Sequence, residues 1–124
     1  MSTIAVVHRP IARGVFRGEW PAGIASGDVG MGFGAPMHPI KTVEASGTFS
    51  STSIAIEGSN DSTDGVDGTW EPLHVAGTGA ALAFTTAGAQ RIAENPLWVR
   101  PNATGGSGTG LKVTILAATH GYLA

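Results

Sequence analysis

Leu111-Lys112-Val113-Thr114-Ile115-Leu116-Ala117 closes the stretch, beginning at Ser53, whose reading decides the fold. Leu111, Val113, Ile115 and Ala117 fall on one side of an extended chain and Lys112 and Thr114 on the other, the period-two pattern of a strand with one face buried. The same alternation runs backward along the chain. Ile54 and Ile56 alternate with Ser53, Ala55 and Glu57, Leu82 shares a face with Phe84, and Leu97 shares one with Val99. It begins at Thr42, where Val43 and Ala45 alternate with Thr42, Glu44 and Ser46. Turn chemistry separates these runs: Asp64-Gly65, Asp67-Gly68, Gly77-Thr78-Gly79 and the glycine-rich Gly105-Gly106-Ser107-Gly108. At least five short strands at such spacing predict an all-β fold built as a single antiparallel β-sandwich over residues 41–124. Only Thr86 to Asn95 offers room for a helical turn or two, with Thr86 as cap and Pro96 as stop.

Residues 1–40 read differently. Pro10, Pro21, Pro36 and Pro39 interrupt them, with glycines between, so they predict an extended Gly/Pro-rich N-terminal arm without central strands. Phe16, Trp20, Ile24, Met31 and Phe33 make this segment too apolar for a disordered tail, so it is expected to pack on its own sheet or on a neighbour. Three of the seven basic residues, Arg9, Arg13 and Arg17, sit here. With Phe16 and Trp20 they are the candidate partner-binding residues, and loss of residues 1–20 is expected to remove binding while leaving the sandwich folded.

Composition narrows the function classes. The 124 residues suit one domain. Hydrophobic residues make up 42% but aromatics only 6%, which predicts a thin core of Ile, Val and Leu. A formal charge of −2 supplies no drive toward nucleic acid or anionic membrane. Without cysteine there is no disulfide framework and no thiolate nucleophile or metal site. The start of the chain lacks the basic and apolar regions of a signal peptide, and no run approaches a membrane span. A soluble protein made in the cytoplasm is expected.

Motifs that suggest chemistry have plainer readings. Asn60 to Glu71 partly matches a twelve-residue calcium loop, but Asn60 opens it, Asp67 stands where an apolar residue is usual, and strands flank it. A hairpin loop explains the same residues, and no metal ligand is assigned. Gly105 to Lys112 lacks the terminal lysine and following helix of a phosphate loop. His8, His38, His74 and His120 show no ligand spacing, and no nucleophile elbow marks a triad. The chain is therefore read as non-enzymatic and without cofactor. Trp70, Trp98 and Arg100 are the candidate sugar-binding residues of an alternative reading, since an exposed aromatic face pairs with a hexose.

Seven phrases, in order, carry a resemblance: Gly27-Asp28-Val29-Gly30, Val43-Glu44-Ala45-Ser46-Gly47-Thr48-Phe49, Ile56 to Asp61, Trp70 to Leu73, Leu82-Ala83-Phe84-Thr85-Thr86-Ala87-Gly88, Asn95 to Pro101 and Val113 to Ala117. Over roughly residues 27 to 118 the chain resembles a family of small structural proteins of tailed bacteriophages. That resemblance implies a virion component, read most nearly as a head decoration or cement protein with a jelly-roll-like sandwich. It would sit on the capsid surface, bind the major capsid protein and associate as a dimer or trimer. A tail or baseplate part is the variant of this reading. Glu57-Gly58-Ser59-Asn60-Asp61 with Trp70 and Trp98-Val99-Arg100 is also similar to discoidin-type carbohydrate-binding sandwiches, which implies the same fold class and the sugar-binding alternative. Residues before Gly27 match neither pattern.

Overall fold

The computed structural model describes residues 2–119. Eleven strands follow one another: β1 (Thr3–Ile4), β2 (Val7–Ala12), β3 (Val15–Ile24), β4 (Val29–Gly30), β5 (Ile40–Thr48), β6 (Ser53–Ser59), β7 (Glu71–Pro72), β8 (Ala83–Phe84), β9 (Gly88–Arg91), β10 (Trp98–Thr104) and β11 (Thr109–Ala118). They form two sheets. Sheet one runs β1-β4-β10-β6-β7, with β8 also paired to β6, and sheet two runs β2-β3-β11-β5-β9. All pairings are antiparallel except that of β1 with β4. From β3 onward each strand passes to the opposite sheet, save where β6 continues into β7 and β8. The resulting orders, β3-β11-β5-β9 facing β4-β10-β6-β7, are those of a jelly roll, as expected.

The alternation places the core. Val113, Ile115 and Ala117 of β11 are fully buried, as are Val43 of β5, Ile54 and Ile56 of β6 and Val99 of β10. Leu82 and Phe84 complete the layer from the short β8 side. Lys41 shares the inward parity of β5 and is also fully buried, a cation within an apolar layer. Leu97 departs from its expected partnership with Val99. It is 39% exposed because β10 begins at Trp98, and the preceding chain turns outward, where the Leu97 N–H donates to Asn60 Oδ1.

Residues before Ile40 are extended, as expected, but they are not a free arm. β2 and β3 form a hairpin that adds two strands to sheet two, and Trp20 pairs in register with Val113. Trp20 and Ile24 are fully buried, and the Trp20 indole N–H donates to Met31 O at 2.8 Å. The prolines are accommodated where the ladder has no use for an N–H. Pro10 lies on edge strand β2, while Pro21 falls where the β3–β11 register shifts between Leu111 and Val113 and β2 no longer pairs. A Cβ on Gly18 would stand 2.5 Å from the Phe33 ring, so this glycine serves close packing within a strand. Residues 2–40 and 41–119 thus share one core, and excising 1–20 removes strands from it.

The segment expected to turn helical, Thr86 to Asn95, instead supplies β9, which pairs Gly88 to Arg91 with Ala45 to Thr42. Sheet pairing satisfies the backbone of a four-residue element that one helical turn leaves mostly open.

Candidate interaction surface

On the outer face of sheet two, one row crosses all five strands: Arg9, Arg17, Leu116, Thr42 and Arg91 pair in sequence across β2, β3, β11, β5 and β9. At the usual interstrand spacing this row spans about 19 Å. Leu116, at its centre, is 44% exposed. A neighbouring row holds Val15, Ala118 and Ile40, and Ile11 is 46% exposed on the edge strand. Arg13 occupies the β2–β3 hairpin tip, where Gly14 takes a φ of 72° to close the turn. Lys112 lies on the same face, opposite Ser46.

Five of the seven basic residues, Arg9, Arg13, Arg17, Arg91 and Lys112, therefore mark this face or its rim, against Glu19 and Glu44. Glu19 holds two of them. Arg9 Nε donates to Glu19 Oε1 at 3.2 Å, and Arg17 Nε lies 3.3 Å from the same oxygen without the alignment of a hydrogen bond. An arginine comb braced by a central carboxylate, with an exposed leucine in its middle, is an apolar contact surrounded by charge. The Arg9 side chain is 58% exposed, so its pairing with Glu19 adds little to folding.

The sequence-predicted partner residues divide accordingly. Arg9, Arg13 and Arg17 are brought together on the outer face and its rim. Trp20 points into the core and cannot meet a partner. Phe16 is half-buried on the inward side, stacked on Phe33 with centroids 6.1 Å apart and planes 7° from parallel, with His8 and His38 at its edges. Leu116 and Arg91 were not anticipated. Leu116 has the parity of Lys112 and Thr114, and an apolar residue on the polar side of a strand was the available signal.

Trp70, Trp98 and Arg100 lie on the outer side of sheet one, with Arg100 against Trp70. Arg100 forms an ion pair with Glu57 at 2.9 Å, Asn102 Nδ2 donates to the other oxygen of Glu57, and the Arg100 guanidinium carbon sits 4.1 Å from the centroid of Trp70. The indole N–H of Trp70 donates to Asp67 O and that of Trp98 to Ser62 O. The Trp98 bond thus pins the loop from residue 60 to 70 onto the sheet, the Trp70 bond closes the loop on itself, and Arg100 already covers Trp70.

Within that loop the carboxylates are engaged by the loop itself. Asp67 accepts from the Thr63 hydroxyl and N–H and from the Ser62 hydroxyl, which holds its carboxyl far below the usual range. Asp61 is lowered by the Thr69 N–H and then by the Ser59 hydroxyl. Asp64 Oδ1 accepts from Val66 N–H and Asp67 N–H. This is hairpin-loop bonding, not carboxylates turned toward a common point.

A cleft of about 720 Å³ opens beside the loop, lined in part by Asp61, Glu71, His74 and Glu94. His74 Nδ1 lies 2.5 Å from Glu94 Oε2, and a carboxylate that only accepts puts the proton on Nδ1. Partial burial works to raise the Glu94 carboxyl, but the His74 ring and backbone N–H outweigh it and the net shift is downward. His8 and His38 join the ring cluster around Phe16 and Phe33, and His120 lies outside the described residues.

No family model matches the chain, and no curated protein matches it. Among solved structures, a chain from "Bacillus endospore appendages form a novel family of disulfide-linked pili" aligns over 90% of this chain and 97% of that chain, at 10% sequence identity and a TM-score of 0.37. Likeness at that level carries no argument about function.

Proposed function

We propose that the chain is a non-enzymatic assembly module, specifically a decoration or cement protein of a tailed-bacteriophage capsid, and that it docks on the major capsid protein through the outer face of sheet two. The observation that supports this reading is the five-strand row with Leu116 at its centre and Arg9, Arg17 and Arg91 along it. A jelly roll presents such a row on a rigid platform, so docking does not require the face to be ordered first. The arginines suit a shell surface that carries carboxylates around an apolar seat for Leu116, with charge setting orientation and encounter and the leucine supplying desolvated contact. Binding that is available only on the assembled shell stabilises the shell by mass action, copy by copy. The resemblance to phage structural proteins supplies the identity of the partner, and the face supplies the chemistry.

Co-sedimentation with assembled shells lacking the protein, followed by cryo-electron microscopy, tests the proposal. Saturable density with sheet two against the shell is expected, with binding lost in Leu116→Asp and weakened at least tenfold in Arg17→Glu, both still folded. Shells that stay bare, or density with sheet two facing solvent, would overturn it.

A further inference from the structure

A second surface lies at the end of the sandwich where β6 and β11 finish, separate from the Leu116 row. Three features cross it. On the sheet-two side is the hairpin tip with Arg13. In the middle is an apolar dimple of about 240 Å³, lined by Phe16, Gly34, Ala35, Pro36, Met37 and His38, with Met37 forming its rim and standing 80% exposed. On the sheet-one side lies the acidic loop with Asp61, Asp64 and Asp67, bound to the same segment by the Gly32 N–H donating to Gly65 O at 2.8 Å and capped by Val66, which is 44% exposed. The two sides belong to one end because Phe16 of β3 stacks on Phe33, which bridges Val99 at the start of β10, and because Asn95, just before β10, holds Pro36 O.

A knob beside a hole, flanked by positive charge on one side and negative on the other, is complementary to itself after a half-turn. We infer that this end is a two-fold self-association surface whose occupant is a second copy of the chain: Met37 of each copy seats in the dimple of the other, and Arg13 of each lies against the Asp61 to Asp67 loop opposite. A two-fold interface uses the same patch on both subunits, so one set of residues closes the pair without leading to open filaments. Methionine suits the knob, since its flexible thioether fills irregular apolar space. The ends of this surface carry opposite charge although the whole chain carries only −2, so the pairing is electrostatically steered and weakens with salt. The dimer takes Arg13 from the rim of sheet two but leaves the row from Arg9 through Leu116 to Arg91 free, and it stands or falls independently of shell docking.

Sedimentation velocity of the purified full chain across a concentration series, at low and high ionic strength, tests it. The wild type is expected to dimerise at low salt and to dissociate at least tenfold more readily at high salt. Met37→Asp is expected to be monomeric with an unchanged melting temperature. Arg13→Glu is expected to weaken the dimer at least tenfold, and Val66→Lys, which adds a cation to the loop without removing any loop acceptor, is expected to restore it when combined with Arg13→Glu. A wild type that stays monomeric throughout, or a dimer indifferent to both Met37→Asp and the charge exchange, would overturn the inference. A monomer that still decorates shells would remove this surface and leave the docking proposal standing.

Discussion

Lys41, buried along its length, donates from Nζ to Oδ1 of the exposed Asn95 at 2.5 Å, with His38 O a second acceptor at 3.0 Å. No carboxylate neutralises this ammonium among the described residues. Burial pushes the Lys41 amine down from 10.5 to about 8, because removal from water disfavours the charged form. Between those two values the unfolded chain keeps a proton that the folded chain has released, so stability rises with pH through that window and is flat in this group below it. The full rise is on the order of 3 kcal/mol, since each tenfold change in proton affinity is worth about 1.4 kcal/mol. Urea unfolding of the wild type and Lys41→Met at several alkaline pH values should show the rise in the first and a flatter profile in the second. Equal slopes would mean that another group carries the dependence.

Trp20 is a core residue, so its substitutions should act on folding and leave docking alone. Trp20→Ala is expected to cost about 3–5 kcal/mol, as large aromatic truncations in cores do. Trp20→Phe keeps the packing but strands Met31 O, at a cost of about 1–3 kcal/mol. Thermal unfolding measures both. Folded Trp20→Phe should bind shells as the wild type does, whereas selective loss of binding in a protein of normal stability would return this residue to the interface.

Gly18 is required by Phe33. A methyl group there would press on the ring at 2.5 Å, and overpacking of this kind costs about 1–3 kcal/mol. Gly18→Ala should lower the melting temperature, and Phe33→Leu, destabilising alone, should cost less in the Gly18→Ala background. Purely additive losses in the double-mutant cycle would show that the two positions do not press on each other.

How much of this was legible follows from where the physical signal resides. β5, β6 and β11 declare themselves because one face is wet and the other dry, so the alternation in Val43/Ala45, Ile54/Ile56 and Leu111/Val113/Ile115/Ala117 is written into residue types. β2 and β3 do not, because Pro10 and Pro21 argue against strands until the topology supplies an edge and a register shift to hold them. Trp20 resembled a docking residue for the same reason, since a segment read as an arm has no inside. The Thr86 to Asn95 segment carries little apolar periodicity of its own, and its strand exists because β5 offers an open edge. The Arg9 and Arg17 half of the candidate face was visible locally. Leu116 leaves a local trace as an apolar residue on the polar side of its strand, whereas Arg91 joins the face only through cross-strand register, which no local pattern encodes.

The same register decides how Trp70 should behave. Its ring is occupied by the Arg100 guanidinium, itself fixed by Glu57, and both tryptophan N–H groups of this cluster are spent on the loop. A sugar stacking on Trp70 would have to displace Arg100 from an ion pair in which both side chains are less than one-fifth exposed, and breaking such a pair leaves a partly desolvated carboxylate behind. Titration with bacterial polysaccharide should therefore leave tryptophan emission unchanged. Arg100→Ala should free the ring and loosen the loop from residue 60 to 70, with a red-shifted emission and a loss of about 1–2 kcal/mol from the cation–π contact and ion pair together. A saturable shift of the wild-type emission by sugar, abolished by Trp70→Ala, would show instead that the guanidinium gives way and that this cluster is a carbohydrate site.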